Sequence, residues 1–145
     1  MTIKQAVKAD LETAARLALA LWPEAELTEL ASGLASLLDS PEAAIFLCEA
    51  EGQAVGFAQC QLRRDYVEGC DTSPVGYLEG VYAAETHRRQ GVARMLVTAC
   101  QDWARQQGCV EFASDCELDN TDSLRFHLSV GFEEANRIIC FTKRL

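Results

Sequence analysis

Around Ile3, Gln5 and Val7 the chain alternates with a period of two, which predicts a first strand. Leu11, Ala14, Ala15, Ala18 and Leu21 then recur at helical spacing. They predict a helix over 11–21 that Asp10 caps and Trp22-Pro23 ends. Leu30, Leu34, Leu37 and Leu38 fall on one face of a second helix, opened by Thr28 and stopped by Ser40-Pro41. Ala44–Cys48 and Ala54–Leu62, separated by the turn pair Glu51-Gly52, predict a hairpin. A polar loop follows over 63–74, of a length that is usually functional. Val75–Ala83 is the next predicted strand. Gly91 opens the best-patterned helix, with Val92, Leu96, Ala99 and Trp103 in register and Gly108 as a left-handed stop. Cys109–Ser114 predicts a strand. Asp119 or Asn120 caps a helix carrying Leu124, Phe126, Leu128 and Val130, and Gly131 ends it. Residues 138–143 predict a last strand, with a further short one at 132–135. The order implies a mixed α/β sheet of six to seven strands with helices on both faces.

The length, 145 residues, is that of a single domain over 1–145, and the 49% hydrophobic and 24% charged content is ordinary for a globular chain. No stretch approaches the roughly 20 apolar residues of a membrane span, and the N-terminus lacks a signal-peptide run. Seven cysteines, none in a CxxC pair, read as reduced thiols in a cytoplasmic protein. Two well-separated histidines give no metal site.

Charge narrows the ligands. The net charge is −9, which argues against a nucleic-acid backbone as partner and suits a cationic one. Residues 1–60 carry −6, 61–87 carry −3 and 95–145 carry −3, yet Arg88-Arg89-Gln90-Gly91-Val92-Ala93-Arg94 carries +3. One basic knot in an acidic chain suggests a polyanion held at one point and a cation elsewhere. The knot lies between a strand and a helix start, where free N–H groups and the helix dipole attract anions. Gly91 and Ala93 let a diphosphate approach the backbone, and the arginines surround it. There is no GK[ST] phosphate loop and no triple-glycine dinucleotide fingerprint. The plainer reading, an arginine-rich start that only caps and solvates, stays open on spacing alone.

Arg88-x-x-Gly91-x-Ala93, placed after a strand and before an amphipathic helix, resembles the acetyl-CoA loop of the GNAT acetyltransferases. Asn120-x-x-Ser123-x-x-Phe126-His127-x3-Gly131-Phe132 resembles that family's next helix and turn. The resemblance implies the GNAT fold, with splayed fourth and fifth strands. It implies acetyl-CoA bound along Val81, Tyr82 and Ala83 and around Arg88 to Arg94, with Asn120 and His127 also at the coenzyme. His127 stands where many relatives carry a tyrosine that acts as acid. More closely, Leu21-Trp22-Pro23, the loop Arg64–Pro74, Leu78-Glu79-Gly80, Ser114-Asp115 and Gly131-Phe132-Glu133-Glu134 resemble the aminoglycoside 6′-N-acetyltransferases. That implies acetyl transfer to a 6′-amine by direct attack in a ternary complex, and a homodimer. It also implies Trp22, Tyr66 and, more weakly, Asn136 as substrate contacts.

The residues agree with a polycationic acceptor. Glu79 stands in an otherwise apolar strand and Asp115 just past the end of another, where ligands bind in open α/β sheets. Either carboxylate is a candidate amine ligand and general base, and the sequence does not choose between them; Glu79 paired with an arginine is the structural alternative. No cysteine sits in a motif beside a base. Two other readings keep the coenzyme site. One is an enzyme for a polyamine, amino acid or protein amine, and the other a non-catalytic acetyl-CoA-binding module.

Overall fold

The computed structural model describes residues 1–145. Its strands are β1 (Thr2–Gln5), β2 (Ala43–Ala50), β3 (Gln53–Arg63), β4 (Val75–Ala83) and β5 (Phe112–Ser114). They form one sheet in the order β1-β2-β3-β4-β5, antiparallel as far as β4, with β5 parallel to β4. Glu51 (φ 52°) and Gly52 (φ 78°) are both left-handed, as a two-residue hairpin turn requires.

Helices α1 (Leu11–Leu21) and α2 (Leu27–Leu38) cover one face, packing Ala14, Ala15, Ala18 and Leu34 on Ile45, Leu47 and Phe57. Helix α3 (Val92–Gln106) covers the other, packing Leu96, Val97, Cys100 and Trp103 on Phe46, Ala58, Cys60 and Leu78. Phe126 and Val130 of α4 (Thr121–Ser129) join this second cluster. The predicted helices on both faces are present. The caps differ in detail. The Asp10 carboxylate turns back to the Val7 N–H and Lys4 instead of capping α1. Glu26, not Thr28, caps α2, accepting from the N–H groups of Thr28 and Glu29 at 3.0 Å each. Asn120 caps α4 by accepting from the Ser123 N–H at 3.1 Å.

Two irregularities in β4 position the site. Gln59 pairs with Gly80 and Cys60 with Leu78, so Glu79 is the extra residue of a bulge, a device that re-aims a side chain. β4 and β5 pair only from Gly76/Phe112 to Leu78/Ser114. Beyond that vertex, Glu79–Ala83 has no strand on its β5 side, so the fourth and fifth strands do part as expected.

The sheet has five strands, not six to seven. β5 starts at Phe112 rather than Cys109, and residues 132–135 and 138–143 form no strand. A strand exists only where a second row of main-chain groups faces it. Within this one chain none faces 138–143, although its apolar, β-branched composition favours an extended conformation.

Candidate active site

The start of α3 is built to hold an anion. Gly91, its N-cap, sits at φ 85°, ψ 7°, a left-handed conformation that favours glycine, and offers no side-chain cap. The first bond within the helix is Met95 N–H to Gly91 C=O at 2.9 Å, so the N–H groups of Val92, Ala93 and Arg94 face outward unpaired. No acidic residue occupies the first turn. Arg89 is also left-handed, at φ 63°, the kind of strain that clusters at ligand sites. Arg88 donates from Nε to the Ala83 carbonyl at 3.2 Å, which fastens the loop to the end of β4. Gln90 donates to the Thr86 carbonyl at 3.4 Å.

Two of the sequence-assigned residues serve differently from the rest. The Val92 side chain is buried in the core, so only its N–H faces the loop. Arg94 donates to the Ser129 carbonyl at 2.8 Å, tying α3 to the end of α4.

The acidic side of the vertex is a connected cluster. Arg63 of β3 holds Glu79 through contacts of 2.7, 3.0 and 3.1 Å. Glu79 is therefore an ion-paired carboxylate, and its sequence-based alternative as an arginine partner is realised. The same guanidinium lies 3.5 Å over the Tyr77 ring, a cation–π contact. The Tyr77 hydroxyl donates to Asp115 Oδ2. Burial, reinforced by the Asp115 carboxylate, pushes the Tyr77 hydroxyl well above its usual range, so it remains a donor at neutral pH. Asp115 Oδ1 accepts no hydrogen bond and is open to solvent.

Trp22 closes this region from the end of α1. A Cβ on Gly80 would lie 2.6 Å from Trp22 Cζ2, so the indole rests directly on the β4 backbone beside Glu79. Its edge meets Phe57 at 6.2 Å between ring centroids. From Trp22 an open cleft of about 490 Å³ runs between α2 and β3, lined in part by Glu29, Leu30, Gln59 and Gln61. Tyr66 is 77% exposed on the 63–74 loop. Asn136 does not reach the carboxylate cluster through any hydrogen bond; it donates to Glu68 of that loop at 2.7 Å.

His127 stands at the vertex. Its Nδ1 is 2.7 Å from the Ser123 carbonyl, which only accepts, so that nitrogen carries a proton. Its Nε2 is 2.8 Å from Ser114 Oγ, itself 3.2 Å from the Leu78 carbonyl. With a neutral ring Ser114 donates to Nε2; with a charged ring the bond reverses and Ser114 donates to Leu78. The pair can therefore pass a proton. Four of the seven cysteine thiols are disfavoured as thiolates. Burial pushes the thiols of Cys48, Cys70 and Cys109 up, and a hydrogen bond to Cys60 together with burial does the same for Cys100.

The sequence profile of the acetyltransferase (GNAT) family matches residues 9–132. The chain belongs to the GNAT acetyltransferase family. Its GNAT relatives include a Stenotrophomonas maltophilia protein named aminoglycoside N(6′)-acetyltransferase type 1, 45% identical over 97% of this chain and 91% of that one. A Salmonella enteritidis protein of the same name is 42% identical over 99% of each. Among solved structures, AAC(6′)-Iy in complex with the bisubstrate analogue CoA-S-monomethyl-acetylneamine superposes with a TM-score of 0.96 at 40% identity, over 99% of this chain and 98% of that one. Apo AAC(6′)-IG from Acinetobacter haemolyticus gives 0.95 at 39%, over 100% and 99%.

On this GNAT frame, three site residues escaped the sequence reading. Arg63 and Tyr77 join the carboxylates only through strand register and the bulge, which no local pattern reveals. Glu111 is the third. One of its oxygens accepts from the N–H groups of Asp71 and Thr72 at 2.9 and 2.8 Å and from the Thr72 hydroxyl at 2.5 Å, pinning the 63–74 loop.

Proposed function

We propose that this chain, as a single domain over 1–145, transfers the acetyl group of acetyl-CoA to the 6′-amino group of an aminoglycoside. The observation that carries the reading is the juxtaposition at the β4 bulge. The unpaired edge Glu79–Ala83 leads from an acidic cluster and a tryptophan wall to the anion-binding start of α3. Relatives that cover nearly the whole chain are named for this activity, and the residues fit the coenzyme. Three free N–H groups, a glycine without Cβ and the cations of Arg88 and Arg89 suit a diphosphate.

Acetyl-CoA supplies an acetyl group activated as a thioester. The chain supplies position and protons. The Val92–Arg94 amides and Arg89 hold the diphosphate, and Asn120 keeps its amide nitrogen free nearby after its oxygen caps α4. The free edge at Val81, Tyr82 and Ala83 accepts an extended arm as a strand would, and a main-chain N–H there donates to the carbonyl oxygen where negative charge develops. Glu79, neutralised by Arg63, orients the cationic sugar, while Trp22 and Tyr66 present aromatic faces. Asp115, with its free Oδ1, takes the proton from the attacking amine. As the new C–N bond forms and the C–S bond breaks, His127, through Ser114, gives a proton to the departing CoA thiolate at the vertex. General acid–base steps of this kind contribute on the order of 10²–10⁴-fold. The protein acts in the cytoplasm as a homodimer in this reading. No helix is long and apolar enough to cross a membrane.

Release of free CoA thiol, followed with aminoglycosides that carry a 6′-amine or a 6′-hydroxyl, tests the proposal. Turnover confined to the 6′-amines is expected. Equal rates on both would overturn the regiochemistry, and turnover only with polyamines or peptide amines would favour another acceptor.

A further inference from the structure

Beyond the vertex the main chain stops holding the two carboxylates of the acidic cluster together. β4 and β5 pair only as far as Leu78 and Ser114. Glu79 is the extra residue of the β4 bulge, and Asp115 follows the last residue of β5. No β4–β5 ladder bond ties one to the other. Asp115 is itself exposed. Its carboxylate accepts a single hydrogen bond, from the Tyr77 hydroxyl. Without that bond an exposed aspartate samples its rotamers freely.

Tyr77 has the fixity that Asp115 lacks. It is 6% exposed and packs among Val67, Val75 and the partly buried Cys70 and Ala113. The Arg63 guanidinium lies 3.5 Å over the face of its ring. That guanidinium spends its hydrogen bonds on Glu79 alone, at 2.7 Å for the shortest, so the ring sets the plane in which it grips the carboxylate. One side chain thus touches both arms of the cluster. Its hydroxyl holds one carboxylate, and its face holds the cation that holds the other. Through Val67 it also packs against the 63–74 loop that carries Tyr66. Packing alone does not call for the hydroxyl, because phenylalanine fills the same space and water can replace the bond to an exposed aspartate. The hydroxyl does fix where the free oxygen of Asp115 points.

We propose that Tyr77 is the positioning residue of the acceptor site: its hydroxyl aims Asp115 Oδ1 at the attacking amine, and its ring, through Arg63, sets Glu79 for the cationic sugar. The role rests on the acceptor reading above and divides it into two separable parts. The hydroxyl serves the chemical step, in which Asp115 takes the proton that the amine loses as its C–N bond forms. The ring serves binding, through Glu79.

Tyr77→Phe and Tyr77→Leu separate the parts, with thiol release followed from acetyl-CoA and kanamycin A, which bears a 6′-amine. Tyr77→Phe keeps the ring and should lower kcat about 10- to 100-fold, the penalty of a misaimed group, with both KM values within about twofold and Tm close to that of the wild type. Tyr77→Leu removes the ring as well and should add a several-fold rise in the aminoglycoside KM. Asp115→Asn removes the group that Tyr77 aims, so Tyr77→Phe placed on it should cost no further kcat. CoA binding reports that each variant has folded. A Tyr77→Phe enzyme with wild-type kcat, a Tyr77→Phe loss repeated in full on Asp115→Asn, or a loss confined to Tm and the two KM values would overturn the role. A wild type with no turnover on the 6′-amine would instead overturn the acceptor reading, and the role of Tyr77 with it.

Discussion

Adding one methyl group to Gly80 tests whether Trp22 is seated by the β4 backbone. In Gly80→Ala the new Cβ falls 2.6 Å from Trp22 Cζ2, 2.9 Å from Trp22 Cη2 and 2.8 Å from Leu21 Cδ2. Ordinary carbon contacts lie near 3.5–4.0 Å, so the overlap is about 1 Å. Backbone cannot yield without breaking the bulge at Glu79, so the indole must swing away from Phe57. Overpacking costs about 1–3 kcal/mol, and the lost edge contact with Phe57 is worth about 0.5–1.5 kcal/mol of that region's stability. A fall in Tm of roughly 3–10 °C follows for a domain of this size. With Trp22 as the proposed wall of the acceptor site, losing about 1.4 kcal/mol of sugar contact should raise the aminoglycoside KM about tenfold. The KM for acetyl-CoA should move far less, since nothing at Gly91 shifts. Thermal denaturation and thiol-release kinetics measure both effects. Trp22→Ala supplies the control: in the double variant the ring that clashes is gone, so the two costs should fall short of their sum by at least about 1 kcal/mol. Additive costs, or a Gly80→Ala enzyme with unchanged Tm and KM, would refute the seating.

Other expectations bear on the remaining parts of the site. Arg89→Gly relieves a left-handed arginine and should stabilise the fold by up to about 1 kcal/mol while raising the KM for acetyl-CoA; a destabilised variant with unchanged KM would contradict the assignment. Arg63→Met strands Glu79 and should cost about 1–2 kcal/mol in denaturant unfolding, less than a fully buried pair because the Arg63 side chain is 40% exposed, and Glu79→Gln on top of it should restore part of the loss. The Glu111 carboxyl is held below its usual range, first by the Thr72 hydroxyl and then by the Asp71 N–H. Its contribution is therefore full above the unfolded value near 4.3 and is lost as pH falls through the lower folded one. Glu111→Gln should raise the aminoglycoside KM several-fold at neutral pH, and amide exchange in the 63–74 loop should differ from wild type at pH 7 but converge with it in strong acid.

What the sequence carried well was anything set by a local period or a local stop. Helix α1 at 11–21 and strand β4 at 75–83 fall where their patterns place them, because Trp22-Pro23 closes the helix and Pro74 precedes the strand. The anion cradle was legible for the same reason: Gly91 and the arginines sit within a few residues of one another. Caps were less legible, since the Glu26 carboxylate accepts from the Thr28 and Glu29 N–H groups at a position that composition alone ranks below Thr28. Pairings across strands were not legible at all. Arg63 meets Glu79 only because β3 and β4 align and a bulge turns the carboxylate. Arg94 looked like a coenzyme cation, yet its partner is a carbonyl on another helix. The last strand was misplaced because an apolar period reports a preference for extension and is silent on whether a neighbouring strand exists.

The position of the diphosphate is the deciding observation. A crystal structure with CoA and a 6′-amino aminoglycoside should show diphosphate oxygens within hydrogen-bond distance of the Val92, Ala93 and Arg94 amides, and the 6′-nitrogen between Asp115 and the bulge at Glu79. A nucleotide bound elsewhere, with those amides facing water, would contradict it.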